Sequence, residues 1–168
     1  AEEVKVMTSG AFTAAYLELI PRLELLTKKK LVTAATSIGT GETSIPSRLR
    51  RGEPVDVVIV ADAVLLGFIK DGLIMGESYT PVARSAIGMA VRAGAPKPDI
   101  TTVDALKRAL LRAKSIAYSA SVSGDYLTTE LYQRLGIAEQ VLGKSRRVEG
   151  GERVGAVVAR GEAEIGFQ

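Results

Sequence analysis

One unit recurs along this chain and constrains its fold more than any other feature. It consists of a short apolar run, a polar turn rich in serine, threonine and glycine, and a stretch with helical periodicity. The apolar runs are rich in β-branched residues, which is typical of strands buried in a parallel sheet. Strands are predicted at Val4–Met7, Leu31–Ala35, Val55–Ala61, Ser115–Ser119 and Ala163–Phe167. Their alternation with helices predicts an α/β fold with mostly parallel sheets flanked by helices.

Helices are predicted wherever apolar residues recur at spacings of three and four. The first helix follows the turn Thr8-Ser9-Gly10, and Pro21 is expected to kink it or split it in two because proline lacks a backbone donor. Gly72 and Gly136 are predicted to end two later helices. Further helices are predicted near 45–51, 62–70 and 152–159. Another is predicted to begin at the capping box Thr101–Asp104, with Val103, Leu106, Leu110 and Ala113 on one face. A last one is predicted around Leu127, Leu131 and Leu135.

The segment Tyr79–Arg92 divides the chain into two parts. It is long and rich in Val, Ala and Ile, and it is predicted to run extended from one lobe to the other. We therefore expect two α/β lobes, residues 1–80 and 81–168. In open α/β sheets, ligands bind outside the carboxyl ends of the strands.

The composition excludes several kinds of chemistry. The 168 residues include no cysteine and no histidine, which removes disulfides, thiolate nucleophiles, histidine-based triads and the usual zinc sites. We therefore expect no metal, no cofactor and no enzymatic activity. Net charge is +3, and the short basic runs Lys28–Lys30, Arg48–Arg51 and Arg146–Arg147 are interpreted as solvated helix ends and loops, not as a nucleic-acid surface. No apolar run approaches the roughly 20 residues of a membrane span.

Serines and threonines recur where a strand ends and a helix begins. They form three groups, which are Ser9, Thr36 with Ser37, and Ser119 with Ser121 and Ser123. Helix N-termini offer unpaired N–H groups and hydroxyls add neutral donors, so such turns can hold a small anion and release it again. The alternative is that each residue only caps its own helix. Three groups in equivalent positions favour a shared anion site, with Ser9 and Ser37 as its strongest candidates.

Five segments cover most of the chain in a fixed order: VKVMTSGAFTAAYLELIPRLE, TSIGTGETSIPSRLRRGEPVDVVIVAD, VARSAIGMAVRAGAPKPDI, IAYSASVSGDYL and VARGEAEIGFQ. Together they resemble the molybdate-binding-protein-like family of ABC transporter solute-binding proteins. The resemblance implies a type II periplasmic-binding-protein fold, in which two lobes close around an oxyanion held by serine hydroxyls and backbone amides. With the serine turns, it gives the expected ligand contacts Ser9, Gly10, Thr36, Ser37, Ser119, Ser121, Ser123 and Gly124.

The same resemblance implies a biological setting. It implies a periplasmic protein, secreted with a cleaved signal peptide, that captures an anion and presents it to an ABC permease in the membrane. It also implies a C-terminal segment that returns to complete the first lobe. This segment is not in the sequence, so the first lobe is expected to be incomplete. The chain is then a fragment, is naturally short, or is completed through a homodimer or domain swap.

Two residues bear on the identity of the anion. Where the resemblance implies a ligand tyrosine in molybdate receptors, this chain has Phe167, which carries no hydroxyl. Arg84 lies in the predicted crossover and is expected either to bind a carboxylate in bidentate geometry or to form an ion pair with protein groups. The ligand is therefore expected to be a molybdate-like oxyanion or an organic carboxylate.

Two other functions stay open on the sequence alone. An enzyme is the first, because a serine beside Lys114 or Lys144 would form a base-assisted nucleophile and five carboxylates are available for proton transfer. These carboxylates are Glu42, Asp56, Asp62, Asp125 and Glu130, and their spacing selects no pair. The second is the effector-sensing domain of a transcription regulator, which shares the two-lobed fold.

Overall fold

The computed structural model describes residues 2–39, 41–149 and 152–168, and in it the chain folds as two α/β units, residues 1–85 and 86–168. Within the predicted crossover, residues 80–88 have no regular structure and Met89–Val91 forms a strand. Among the described residues, no helix combines the length and the apolar character needed to cross a membrane.

The first unit is a three-stranded parallel sheet with flanking helices. Its elements are β1 (Glu3–Thr8), α1 (Gly10–Thr27), β2 (Lys30–Ala35), α2 (Ile45–Arg50), β3 (Val57–Ile59) and α3 (Asp62–Lys70), followed by a 3-10 turn at Gly76–Ser78. The strand order is β2-β1-β3, and Met7 of β1 lies opposite Ala35 and Val58 of its two neighbours. The strands and helices predicted for this half are confirmed. The third strand is shorter than predicted because only Val57–Ile59 pairs with β1.

A kink or a split was predicted at Pro21; helix α1 runs unbroken through this residue, so the split is wrong. Proline cannot donate a hydrogen bond to the carbonyl four residues earlier, which belongs to Leu17. Both residues lie on the exposed side of the helix, and Leu17 is 51% exposed, so water can bond the unpaired carbonyl. Tyr16 is buried instead, and its hydroxyl accepts a hydrogen bond from Thr33 of β2.

The second unit is a four-stranded sheet in the order β4-β7-β5-β6, in which β4 is antiparallel to β7 and the other pairs are parallel. Its first elements are β4 (Met89–Val91), α4 (Val103–Arg112), β5 (Ile116–Ser119), α5 (Val122–Tyr126), a π-helical stretch at Leu127–Leu131 and α6 (Tyr132–Arg134). They are followed by α7 (Ala138–Val141), a 3-10 turn at Leu142–Lys144, β6 (Ser145–Val148), α8 (Val154–Ala159) and β7 (Ile165–Phe167). The predicted fold class of mostly parallel sheets flanked by helices is confirmed.

Two predictions in this unit are wrong. Arg146 and Arg147 lie in β6, not in a loop or at a helix end. Because β6 is an edge strand, its side chains can be exposed and charged, and this hides the strand pattern. Val103, expected on the buried face of α4, is 68% exposed because it is the first helical residue. The helix is capped by Thr102, whose Oγ1 accepts a 3.0 Å hydrogen bond from the N–H of Ala105.

Candidate functional site

The first two serine turns lie side by side in the first unit, at the edge of the sheet where the C-terminal ends of its strands meet. β1 and β2 are parallel neighbours, so their carboxyl ends point to the same edge. Ser9 directly follows β1, and Thr36 and Ser37 directly follow β2. A Cβ atom placed on Gly10 would lie 3.9 Å from the carbonyl oxygen of Thr36. The structure therefore brings together four of the residues that the sequence predicted as ligand contacts.

Ser9 occupies the N-cap position of α1 without using its hydroxyl as a cap. Its N–H donates to the carbonyl of Ile59 at the end of β3, at 2.8 Å. Its carbonyl accepts a 2.8 Å hydrogen bond from the hydroxyl of Thr13. These bonds fix the main chain while the half-buried side chain is left for another role. For Ser9, the interpretation as a helix cap is therefore wrong.

Ser37 belongs to an exposed turn and does not cap the helix that follows. Its Oγ accepts a 3.2 Å hydrogen bond from the N–H of Gly39. The cap of α2 is Ser44, whose Oγ accepts from the N–H of Ser47 at 3.4 Å. Because a hydroxyl that accepts one bond still carries its own proton, Ser37 can donate to an anion. Thr36 precedes it and is exposed as well.

In the second unit, the hydroxyls of Ser119, Ser121 and Ser123 form a closed ring. Their Oγ atoms are 2.6 Å apart for Ser119 and Ser121, 2.9 Å for Ser119 and Ser123, and 3.0 Å for Ser121 and Ser123. Ser119 ends β5, and Ser121 occupies the N-cap position of α5 without a side-chain capping bond. The three hydroxyls predicted to share a site thus meet at one point. An anion oxygen placed over the ring would accept their protons in place of the neighbouring hydroxyls.

Gly124 packs against the main chain of Ser119, and no larger residue fits at this position. A Cβ atom at this position would lie 1.8 Å from the carbonyl oxygen of Ser119 and 2.8 Å from Cδ2 of Tyr118. The glycine allows the first turn of α5 to fold back onto the end of β5, which positions the hydroxyl ring. The structure therefore gives Gly124 a packing role, and its contact with a ligand stays a prediction.

Arg84 lines a cavity of about 770 Å³ in the first unit. Asp62 and Tyr79 line the same cavity, and the Tyr79 hydroxyl donates a 2.6 Å hydrogen bond to Oδ1 of Asp62. This bond, together with the carboxylate charge and burial, raises the pKa of Tyr79 above its usual value. The ion pairs between described residues do not include Arg84, so the alternative of an ion pair for Arg84 finds no partner there.

Tyr79 is a residue that the sequence reasoning missed. It lies 17 positions from Asp62 in another part of the chain, and no helical or strand spacing joins the two. Asp62 itself was one of five carboxylates among which the sequence selected none. Only the tertiary structure brings this carboxylate and this phenol together.

Other charged residues considered for catalysis have local structural roles. Asp56 Oδ2 accepts a 2.8 Å hydrogen bond from a backbone N–H of β1, and Glu130 lies 3.9 Å from Arg134 one helical turn away. Lys144 Nζ donates to two carbonyls at the C-terminal end of α4, at 2.8 and 2.5 Å. Lys144 therefore caps that helix and does not serve a serine as a base. No group of three or more potential metal ligands occurs in the described part of the chain.

Comparison with protein families and curated proteins gives two matches. A family model described as bacterial extracellular solute-binding protein matches residues 4–168. A protein of a Pseudomonas species named aconitate isomerase is 43% identical over 164 residues. That match covers 97% of this chain and 62% of the relative, so the chain spans less than two thirds of the relative's length. The relative is named as an enzyme, and this overturns the expectation from the sequence that the chain has no enzymatic activity.

Solved structures show the same fold at low sequence identity. The tungstate-binding protein of Desulfovibrio alaskensis superposes with a TM-score of 0.71 at 18% identity, covering 100% of this chain and 67% of that protein. The periplasmic molybdate-binding protein of Azotobacter vinelandii superposes with a TM-score of 0.69 at 16% identity, covering 98% and 70%. These similarities confirm the predicted fold, which is that of two-lobed periplasmic binding proteins.

Proposed function

Because the chain belongs to the family of bacterial extracellular solute-binding proteins, we propose that its serine-rich turns bind a small polycarboxylate and that it isomerises aconitate. The observation that carries the binding part is the Ser9 hydroxyl, which lies at a helix N-terminus without capping it. The isomerase part is supported by the relative named aconitate isomerase.

A polycarboxylate suits these turns for electrostatic reasons. The N-terminus of α1, a helix of 18 residues, carries partial positive charge and unpaired N–H groups. The hydroxyls of Ser9 and Ser37 add neutral donors at the same sheet edge. Donors of this kind stabilise an anion without a fixed countercharge, which keeps binding reversible. Arg84 would add a guanidinium for one further carboxylate group.

Isomerisation of aconitate requires groups that move a proton. Aconitate is a propene tricarboxylate whose central carbon is double-bonded to one CH and single-bonded to one CH₂, each of which bears a carboxylate. Removing a proton from the CH₂ and adding one to the CH moves the double bond and yields aconitate again, in the cis or trans form set by the rotation of the chain. The step needs a base and an acid, and no oxidant.

A second candidate function is capture of a solute for an ABC importer, which the family description favours. The ligand would then be an organic carboxylate or a molybdate-like oxyanion. Phe167 supports the carboxylate, because it is 6% exposed and offers no hydroxyl where the resemblance implies a tyrosine in molybdate receptors.

The family description also bears on the cellular setting. It names extracellular proteins, which supports a location outside the cytoplasm and gives no support to a transcription regulator. The permease partner, the cleaved signal peptide, and a homodimer or domain swap stay predictions.

Calorimetric titration of the full-length protein with cis-aconitate, trans-aconitate, molybdate and tungstate tests the proposal, with proton NMR to follow interconversion. We expect both aconitates to bind and to interconvert. Ser9→Ala should weaken aconitate binding about 10- to 100-fold, the usual effect of losing a hydrogen bond to a charged group. Its melting temperature without ligand should stay unchanged because the hydroxyl caps nothing. The matched control is Thr27→Ala at the opposite end of α1.

The outcomes separate the two candidates. Interconversion of aconitate supports the isomerase. Tight binding of aconitate without interconversion refutes the isomerase and supports capture of a carboxylate. Binding of molybdate or tungstate alone refutes both the isomerase and the carboxylate ligand.

A further inference from the structure

Asp62 lies at the same sheet edge as the first serine turn. It begins α3 three residues after Ile59, the last residue of β3. The carbonyl of Ile59 accepts the hydrogen bond from the N–H of Ser9. Since the three strands of this sheet are parallel, the residues that follow them share one edge. The carboxylate of Asp62 is thus carried by the third of three neighbouring strand ends, beside the proposed ligand groups.

Among the five carboxylates that the sequence offered for proton transfer, Asp62 is the one that accepts a hydrogen bond from a hydroxyl group of the described residues. The Tyr79 hydroxyl donates to Oδ1 at 2.6 Å, which leaves Oδ2 as an acceptor. Asp62 is exposed and Tyr79 is 42% exposed, so both can be reached by a ligand. A carboxylate and a phenol joined in this way form a base and an acid between which a proton can pass.

The cavity beside this pair suits a small tricarboxylate. Its volume of about 770 Å³ lies within the usual range of ligand pockets. Apolar side chains form part of its wall, among them Val58, Leu65 and Ile74, and Arg84 adds a guanidinium. Asp56 lines the cavity as well, and its Oδ2 is held by a backbone N–H of β1. The guanidinium of Arg84 would bind a substrate carboxylate, and the apolar wall would orient the carbon chain toward Asp62 and Tyr79.

We propose that Asp62 and Tyr79 are the catalytic base and acid of the isomerisation, an inference that rests on the proposed function. Oδ2 of Asp62 takes a proton from the CH₂ carbon of aconitate, and the electron pair of that C–H bond becomes the new C=C bond. The electron pair of the old C=C bond takes the proton of the Tyr79 hydroxyl at the former CH carbon. The carboxyl group of Asp62 then turns so that its protonated oxygen faces the phenolate and returns the proton to it, and both groups regain their starting state.

The electrostatic coupling between Asp62 and Tyr79 favours this order of proton transfers. The hydrogen bond to Asp62, then burial and the negative charge of that carboxylate, raise the pKa of Tyr79, which keeps the phenol protonated before reaction. When Asp62 accepts a proton, this charge disappears and Tyr79 becomes a stronger acid. The acid is thereby activated at the stage at which the reacting carbon needs a proton.

The test follows the full-length protein with aconitate in D₂O by proton NMR, so that turnover and deuterium incorporation are read together. Because a tyrosine hydroxyl exchanges with solvent, wild-type protein should add solvent deuterium to the new CH₂ group during interconversion. Asp62→Asn and Tyr79→Phe should each lower kcat about 10²- to 10⁴-fold, the usual contribution of acid–base catalysis. Neither should weaken calorimetric binding of aconitate more than a few-fold. Asp71→Asn, at the other end of α3, is the matched control and should keep full activity.

The results distinguish this inference from the proposed function. Wild-type protein that does not interconvert the aconitates refutes the proposed function itself. If the wild type is active, full kcat in Asp62→Asn, or a change confined to KM, overturns the catalytic role of Asp62. Interconversion without deuterium incorporation overturns proton transfer through the Tyr79 hydroxyl. If Asp62→Asn fails to fold, the kcat of Tyr79→Phe tests the catalytic pair instead, since this variant keeps the aromatic ring and removes only the hydroxyl. Full kcat in Tyr79→Phe then overturns the inference.

Discussion

Arg48 donates two hydrogen bonds to the carboxylate of Glu53, from Nε to Oε2 and from Nη2 to Oε1, each 2.6 Å long. Lys5 of β1 donates a third from its Nζ atom, at 2.9 Å. Arg48 also donates to the carbonyl of Ala34 in β2. The hydrogen bonds from Arg48 and then Lys5 lower the pKa of Glu53 to about 2. This carboxylate therefore links the end of α2 to the central strand of the sheet.

We expect Glu53→Gln to lower the melting temperature at neutral pH and to have less effect in acid. The ordinary pKa of this group is 4.5 and its folded pKa is about 2. A carboxyl with a lowered folded pKa stabilises the protein fully above its unfolded pKa, and the contribution is lost as the pH falls toward the folded value. Thermal melts followed by circular dichroism should show the gap between wild type and variant closing from pH 4.5 toward pH 2.

The matched control for this experiment is Glu18→Gln on the exposed side of α1. It removes a carboxylate from the same unit and should leave the melting temperature close to that of wild type at every pH. A gap for Glu53→Gln that stays constant from neutral to acid pH would show that the ion pairs do not cause the stabilisation.

A second prediction concerns the buried hydroxyl of Tyr132 and the half-buried hydroxyl of Ser145, whose oxygen atoms are 2.8 Å apart. The Ser145 hydroxyl donates its single proton to the carbonyl of Val141, at 2.8 Å, so Tyr132 is the donor of the pair. Ser145→Ala leaves a fully buried phenol proton without an acceptor and should cost about 1–3 kcal/mol. Tyr132→Phe removes the donor and leaves a hydroxyl that still donates, and it should cost about 1 kcal/mol.

Urea unfolding of both single variants and of the double variant measures the difference between the costs of Ser145→Ala and Tyr132→Phe. The double variant should be no less stable than Ser145→Ala alone, because removing the phenol also removes the unpaired proton. Equal costs for the two single variants would contradict the assignment of Tyr132 as the donor.

The parts of the fold that follow from the sequence are those with local causes. Helix α3 spans Asp62–Lys70 as predicted, and Gly72 after it has a φ of +73°, a conformation that glycine adopts without strain. The strand β6 escaped prediction because its arginines are exposed at a sheet edge and break the apolar pattern. At Pro21 a local rule predicted a kink or a split, and the split did not occur because the exposed side of the helix leaves the unpaired carbonyl open to water.

The candidate site, like the fold, could be predicted from the sequence only in part. Topology was enough to predict that Ser9 and Ser37 share one edge, because both follow neighbouring parallel strands. The pairing of Asp62 with Tyr79 depends on how a segment without regular structure returns to α3, which no periodicity records. Sequence patterns therefore locate the turns that we propose to face a ligand, and only the tertiary structure brings together the pair that we propose for proton transfer.

The last prediction compares two glycines in the second unit. A Cβ atom on Gly124 would overlap the carbonyl oxygen of Ser119, whereas one on Gly155 in α8 would meet no described atom within 4 Å. Gly124→Ala should therefore destabilise the protein by about 1–3 kcal/mol through overpacking. Gly155→Ala should stabilise it by about 0.5–1 kcal/mol, because alanine loses less backbone entropy in a helix. Urea unfolding gives both values. Stability changes of opposite sign would attribute the loss in Gly124→Ala to its contact with Ser119, since a general effect of an added methyl group would change both stabilities in the same direction.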